Sequence, residues 1–315
     1  MFKKLYLGAL VILIALAFTA CNGDNGIPGT TAEVIPPATE TPNAPESPAP
    51  PLARNPETGL SPWSDPESDL FIPDGQLSLL DGSIFEELLR EPMVLLQLTP
   101  VQPGEELVVM HTNHGDITIR LFPDEAPLAV ENFLTHARDG FYDGVTFHRV
   151  ISGFMIQGGC PEGTGRGGDS IWGQPFGLEP SLNLRHFRGA LAMAHAGGAM
   201  GSQFYFVQST NIDGQTRELF NMMEFDGFID MPIGRFIDGR RVYINDIHSL
   251  EEFNHFRTYG GTPFLDWHHN QNAHTVFGHV VEGMDVVDSI ANTPRNIADR
   301  PEEDVIIEGF SFITY

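Results

Sequence analysis

Residues 147–159 read Phe147-His148-Arg149-Val150-Ile151-Ser152-Gly153-Phe154-Met155-Ile156-Gln157-Gly158-Gly159. Two strand-like runs, Thr146 to Ile151 and Phe154 to Gln157, lie on either side of Ser152-Gly153. Phe147, Ile151, Phe154 and Met155 are residues that fill a core, and Arg149 alone would be an ordinary surface cation. What the stretch does is decided by the segments around it.

Short strands alternate with turn signals on both sides. Leu107 to Thr112 and Asp116 to Leu121 flank Asn113-His114-Gly115, a hairpin signature. Pro127 opens a helical pattern with Val130, Phe133, Leu134 and Ala137 on one face, and Asp139-Gly140 stops it. Ala190 to Ala194, Gln203 to Gln208, Val276 to Val281 and Val305 to Phe312 read as further strands, and Met284 to Ala291 as a second helix. Many antiparallel strands with few helices predict a mainly β fold, a closed barrel capped by helices.

The residues now resemble a known family. Phe147 to Gly159 is similar to the central motif of cyclophilins. Thr112 to Pro123, Ala126-Pro127 and Val130-Glu131-Asn132-Phe133 resemble the family's first hairpin and helix. Gly189 to His195 with Gly201-Ser202-Gln203-Phe204-Tyr205-Phe206 resembles its second motif, and Phe264-Leu265-Asp266 with His274-Thr275-Val276-Phe277-Gly278 its third. The resemblance implies an eight-stranded antiparallel barrel capped by two helices, over about residues 106–315. It also implies peptidyl-prolyl cis-trans isomerase activity on Xaa-Pro peptides bound in a surface groove. Carried over by residue, it makes Arg149, Phe154 and Gln157 the catalytic set. His148, Met155, Ala194, His195, Gln203, Tyr205, Phe264, Leu265 and His274 become the substrate-binding set.

Those residue types suit such chemistry. Rotation about a peptide C–N bond meets a barrier of about 18–20 kcal/mol because resonance is lost. No bond breaks, so no nucleophile, metal or cofactor is called for. A site that favours the twisted amide accelerates the reaction. In that state the prolyl nitrogen gains a lone pair, to which a permanently charged guanidinium can donate. Apolar walls would grip the pyrrolidine ring.

Three positions depart from the family's familiar pattern. Tyr205 replaces phenylalanine, so its hydroxyl needs a partner. Phe264 stands where many members carry the tryptophan that helps bind cyclosporin, which implies weak binding of that drug. His195 stands where asparagine is common, and the loop Gly197 to Met200 is about one residue short. Residues 211–262 are an insertion between groove-forming segments. Within it Phe236-Ile237 and Arg241 to Ile244 predict a hairpin over Asp238-Gly239, and Ser249 to Tyr259 a capped helix.

Other patterns are weaker. Gly163-Thr164-Gly165-Arg166-Gly167-Gly168 fits GxGxxG but lacks the following helix that dinucleotide binding needs. His268, His269, His274 and His279 form no compelling metal-ligand pattern. Cys160 reads as a small packing residue.

The chain has 315 residues, with 17 Lys plus Arg against 42 Asp plus Glu and a formal charge of −25. Such a balance argues against a nucleic-acid partner, which needs clustered cations. Lys3 and Lys4 precede an apolar run, Leu5 to Phe18, of signal-peptide length. Phe18-Thr19-Ala20-Cys21 resembles a bacterial lipobox, with Phe18 in the place of the usual leucine. The expected organisation is a signal over 1–20, lipidation at Cys21 and a Pro-rich disordered tether over 21–66. An N-terminal extension over 67–105, with a short helix at Ser83 to Arg90, would precede the isomerase domain at 106–315.

Two functional classes follow. The first is a membrane-anchored, extracytoplasmic, monomeric enzyme that assists folding of proline-containing exported clients. The second is a proline-peptide-binding module with little turnover.

Overall fold

The computed structural model describes residues 92–225, 228–235, 238–266 and 274–315, with scattered residues between 56 and 77. The signal segment, Cys21, most of the tether, the Ser83 to Arg90 helix, Phe236-Ile237, His268 and His269 lie outside the described residues. The strands are β1 (Glu106–Thr112), β2 (Gly115–Leu121), β3 (Arg149–Ile151), β4 (Met155–Gly158), β5 (Ala190–Ala196), β6 (Ala199–Val207), β7 (Pro232–Arg235), β8 (Arg241–Tyr243), β9 (Val276–Glu282) and β10 (Ile307–Thr314). The helices are α1 (Pro127–Arg138), α2 (Gly214–Phe225), α3 (Ile244–Ile247), α4 (Leu250–Tyr259) and α5 (Met284–Ala291).

Eight strands form one antiparallel sheet in the order β10-β1-β2-β9-β5-β6-β4-β3. It curls into a half-barrel that is open, not the closed barrel expected. β3 has only three residues and makes its ladder with β4, so no ladder joins it to β10. One isolated bridge, Thr146 to Ile306, spans the segments that precede these edge strands.

Residue alternation explains the sheet. Val108, Met110, Ile117 and Ile119 point inward from β1 and β2 and are buried. They meet Leu191, Met193, Phe204, Phe206 and Phe277 from the other strands. Pro127 starts α1, which lays Ala129, Val130, Phe133 and Ala137 on that core, while α5 adds Val287, Ile290 and Ala291. Phe133 is fully buried and contacts Phe204 edge-on at 5.4 Å. Truncating such a residue to alanine typically costs about 3–5 kcal/mol.

β5 and β6 form a tighter hairpin than the sequence suggested. Ala196 pairs with Ala199 across Gly197-Gly198, whose φ values are +63° and +83°. Both glycines occupy the left-handed region that a two-residue primed turn demands, so β6 begins at Ala199 rather than Gln203.

The insertion folds on the sheet. Ser249 caps α4, accepting from the Glu252 N–H while the Glu252 carboxylate answers the Ser249 N–H. α2, unforeseen in the sequence, is started by Asp213, whose carboxylate accepts from the Thr216 N–H at 2.9 Å. Phe220 stacks on Phe253 at 4.5 Å and packs at a tilt against Phe256, and Phe256 lies 4.6 Å from Phe187 of the barrel. The turn after α4 is tied back by the Arg188 N–H to the Gly260 carbonyl and the Thr262 N–H to the His186 carbonyl. The chain therefore leaves the insertion at a fixed place, immediately before Phe264 and Leu265.

Candidate active site

β3 and β4 place the central residues. Their register sets Arg149 opposite Gln157 and Ile151 opposite Met155. Directly opposed residues share a face, so Arg149 and Gln157 lie together while Val150 and Ile156 enter the core. The connecting turn is held from outside. The Gly153 N–H donates to Gln208 Oε1 at 2.7 Å, and Gln208 Nε2 donates to Asp288 Oδ1 at 2.7 Å. The far edge of β3 is braced by the Val150 N–H to the Asp299 carbonyl and by Arg295 Nη1 to the Val150 carbonyl, both 2.7 Å.

An apolar pocket adjoins this pair. Met155 and Tyr205 are buried in one cluster with Ala192, Val207 and Val276, and Phe154, Ala194 and Leu265 pack on it. The Phe154 and Phe264 rings stack at 6.0 Å, with Phe264 half exposed at the rim. β6 runs beside β4 and puts Tyr205 opposite Gln157. Gln157 Nε2 donates to Gln203 Oε1 at 2.9 Å, and Gln203 Nε2 donates to the Gly167 carbonyl at 2.7 Å. The glycine-rich loop thus fixes the amide pair, and no helix starts at its glycines. A neighbouring cavity of about 450 Å³ is lined in part by Gln157, Arg166, Ala194, His195 and Gln203.

Two histidines close the other end. His274 Nδ1 hydrogen-bonds the Met193 carbonyl at 3.0 Å, and its ring lies 4.1 Å from that of His195. Burial pushes His274 down to about 4, helped by His195 and His186 and opposed by the carbonyl bond, so it is neutral at pH 7. His195 Nδ1 accepts from the Gly198 N–H at 2.9 Å, so the ring clips the short turn.

His148 sits apart from this group. It is 7% exposed, on the side of β3 opposite Arg149, and a Cβ on Gly165 would stand 3.2 Å from its ring. Neither ring nitrogen has a hydrogen-bond partner among the described residues. Burial lowers its pKa to about 4, with Arg300 and Arg149 adding to the shift.

The Tyr205 hydroxyl turns away from the pocket. It lies 2.9 Å from His186 Nε2, and His186 Nδ1 lies 2.7 Å from Asp266 Oδ1. That carboxylate oxygen also accepts from the His186 N–H at 2.8 Å. His186 and Asp266 have no individual signal in the sequence, because 80 positions and the insertion separate them.

The model of the family described as "Cyclophilin type peptidyl-prolyl cis-trans isomerase/CLD" matches residues 107–311. The chain belongs to the cyclophilin family. Among similar curated proteins is a Staphylococcus aureus (strain USA300) protein named "Putative peptidyl-prolyl cis-trans isomerase", 44% identical over 209 residues, covering 66% of this chain and 92% of that protein. A Staphylococcus haemolyticus (strain JCSC1435) protein of the same name is also 44% identical over 209 residues and covered to 91%. A solved Cryptosporidium parvum cyclophilin, determined in the presence of the dipeptide Ala-Pro, superposes with a TM-score of 0.47 at 26% identity, covering 66% of this chain and 99% of that one. In this cyclophilin, register and ring contacts run from Arg149 and Gln157 through Tyr205 to His274 and His195, and His148 lies outside them.

Proposed function

We propose that this groove isomerises Xaa-Pro bonds in exported polypeptides, with Arg149 as the catalytic donor. The observation that carries the reading is the directly opposed Arg149–Gln157 pair beside a pocket walled by Phe154, Met155, Tyr205, Phe264 and Leu265. The pyrrolidine ring enters the apolar pocket, where burial of each CH₂ contributes about 0.8 kcal/mol. Gln157 and Gln203 face the peptide backbone, and Ala194, His195 and His274 line the flanking groove. The prolyl nitrogen, pyramidal only in the twisted state, accepts from the guanidinium. That bond forms in neither planar ground state, so it lowers the barrier instead of deepening binding.

An acyl anchor at Cys21, followed by a Pro-rich spacer, would hold the domain near an extracytoplasmic membrane surface. The lipobox-like Phe18-Thr19-Ala20-Cys21 and the composition of residues 21–66 support this reading.

The test is an isomerisation assay on an Xaa-Pro peptide with wild type and Arg149→Ala. Equal rates sink the proposed chemistry, and peptide binding without turnover by wild type supports the binding-module reading. For the anchor, the wild-type chain is expected in the membrane fraction and Cys21→Ser in the soluble one.

A further inference from the structure

Tyr205, His186 and Asp266 form a continuous chain of hydrogen bonds directly behind the pocket, at 3%, 1% and 2% exposure. The chain joins two parts that a substrate ring would touch. Tyr205 belongs to β6 and forms the floor, whereas Asp266 directly follows Phe264 and Leu265 of the outer wall. His186 lies between them, its ring nearly parallel to Tyr205 at an interplanar angle of 13°. Its own backbone carbonyl accepts from the Thr262 N–H at 2.8 Å, at the start of the same wall.

The donor directions follow from the acceptors. Asp266 Oδ1 already accepts from the His186 N–H, so it is an acceptor toward the ring as well, and His186 Nδ1 donates to it. Burial, and then Asp266, push the Tyr205 hydroxyl well above its ordinary value, so it keeps its proton. It therefore donates to Nε2. The hydroxyl is spent behind the floor, and the ring presents only apolar surface to the pocket.

The arrangement is costly. Asp266 Oδ2 has no hydrogen-bond partner among the described residues, and a buried carboxylate is weak evidence for stability alone. A phenylalanine at position 205 would need none of it.

We propose that Asp266 and His186 are positioning residues that hold Tyr205 and the Phe264–Leu265 wall at the spacing that binds the proline ring. The proposal rests on reading the groove as the Xaa-Pro site. Breaking the chain strands the Tyr205 hydroxyl behind the floor, so the Tyr205 ring and the Phe264–Leu265 wall shift from their spacing; substrate binding suffers and bond rotation does not.

The experiment is a double-mutant cycle on the full chain, with steady-state isomerisation of an Xaa-Pro peptide and thermal unfolding for each protein. His186→Leu is expected to raise KM about tenfold, the scale of one stranded buried hydroxyl, with kcat within about twofold. Adding Tyr205→Phe to His186→Leu is expected to recover most of that loss, because the stranded group is then gone. A merely structural histidine gives losses that add, with no recovery, and that result overturns the proposal. A fall in kcat with KM unchanged overturns it as well. If His186→Leu does not fold, the cycle runs on His186→Met, whose thioether is only a weak acceptor and cannot donate to Asp266, with the same expected recovery. Wild type that turns over no peptide overturns the reading of the groove, and this proposal falls with it; active wild type with additive losses overturns the proposal alone.

Discussion

Arg185 and Glu252 meet at 2.9 Å with neither side chain exposed to solvent. Arg185 precedes β5, whereas Glu252 lies on α4 of the insertion, so the contact bolts the insertion to the sheet. The Nε–H points off the line of contact, which makes this an ion pair rather than a linear hydrogen bond. The guanidinium also donates to the carbonyls of Leu182, Leu184 and Ile247 and to Met93 Sδ. Glu252 also accepts from His248 Nδ1 at 3.0 Å when that nitrogen carries the proton. Glu252→Gln is expected to destabilise the domain by about 3–5 kcal/mol, because it leaves a cation buried without its counter-charge. Urea unfolding of the two proteins measures it, and a loss under about 1 kcal/mol contradicts the assignment.

The wall that follows the insertion gives that contact a functional consequence. Gly260 and Gly261, with φ of +89° and +142°, stand so close to Thr210, His186 and Phe256 that a Cβ at either would come within 2.6 Å of them. Gly261→Ala is expected to disturb Phe264 and Leu265, which begin three residues on. The expected outcome is a rise in KM for an Xaa-Pro peptide of about tenfold or more, with a lower unfolding temperature. Unchanged kinetics would mean that the insertion does not set the wall.

Arg149→Ala is expected to lower kcat by about 10²–10³-fold, the usual effect of removing one preorganised donor. Arg149→Lys is expected to recover only part of this, because an ammonium is a point charge without the planar fork. Both variants should keep the wild-type unfolding temperature, since Arg149 is exposed. A kcat within threefold of wild type for Arg149→Ala rules out its donor role.

Much of this site was legible before the fold. Arg149, Phe154 and Gln157 fall within one short stretch, and strand register alone brings Arg149 and Gln157 together. Capping boxes and turns were equally readable, as Ser249 with Glu252 and Asp139-Gly140 demonstrate. Asp213 with Thr216 is a local start signal for α2. Long-range pairings were not legible: nothing local to His186 specifies Asp266, and nothing in Glu252 specifies Arg185. The open edge of the barrel was hidden for a related reason, since it depends on how few residues of Thr146 to Ile151 find a ladder partner. The inward turn of His148 follows from strand alternation, which a short motif match does not weigh.

Stability is expected to fall as the pH drops below neutrality. His148 and His274 are each held near 4 by burial, against 6.5 in the unfolded chain. Between those values the unfolded chain binds protons that the folded chain refuses. The stabilisation is therefore complete above about pH 6.5 and is lost as the pH falls through 4. Glu252 acts in the same direction at lower pH. Burial pushes its carboxyl up, but Arg185 and His248 outweigh this and hold it near 2, so its contribution fades below about 4.5. Urea midpoints at pH 7, 5.5 and 4.5 should decline in order. His148→Asn should flatten the upper part of that decline, and a wild-type midpoint that stays level from pH 7 to 4.5 contradicts both assignments.

Phe264 is half exposed and stacks on Phe154 at the pocket rim, so a larger ring can be accommodated there without repacking the core. Wild type is expected to bind cyclosporin weakly, because a phenyl ring lacks the indole N–H and part of its contact area. Phe264→Trp adds both at an open position and is expected to tighten binding by about tenfold or more, corresponding to roughly 1.4 kcal/mol. Xaa-Pro turnover should change less than threefold, because the added ring edge faces solvent beyond the proline pocket. Calorimetric titration of both proteins decides the matter. Nanomolar binding by wild type, or no gain in Phe264→Trp, would show that drug affinity is set elsewhere in the groove, with the Tyr205 floor as the next position to exchange.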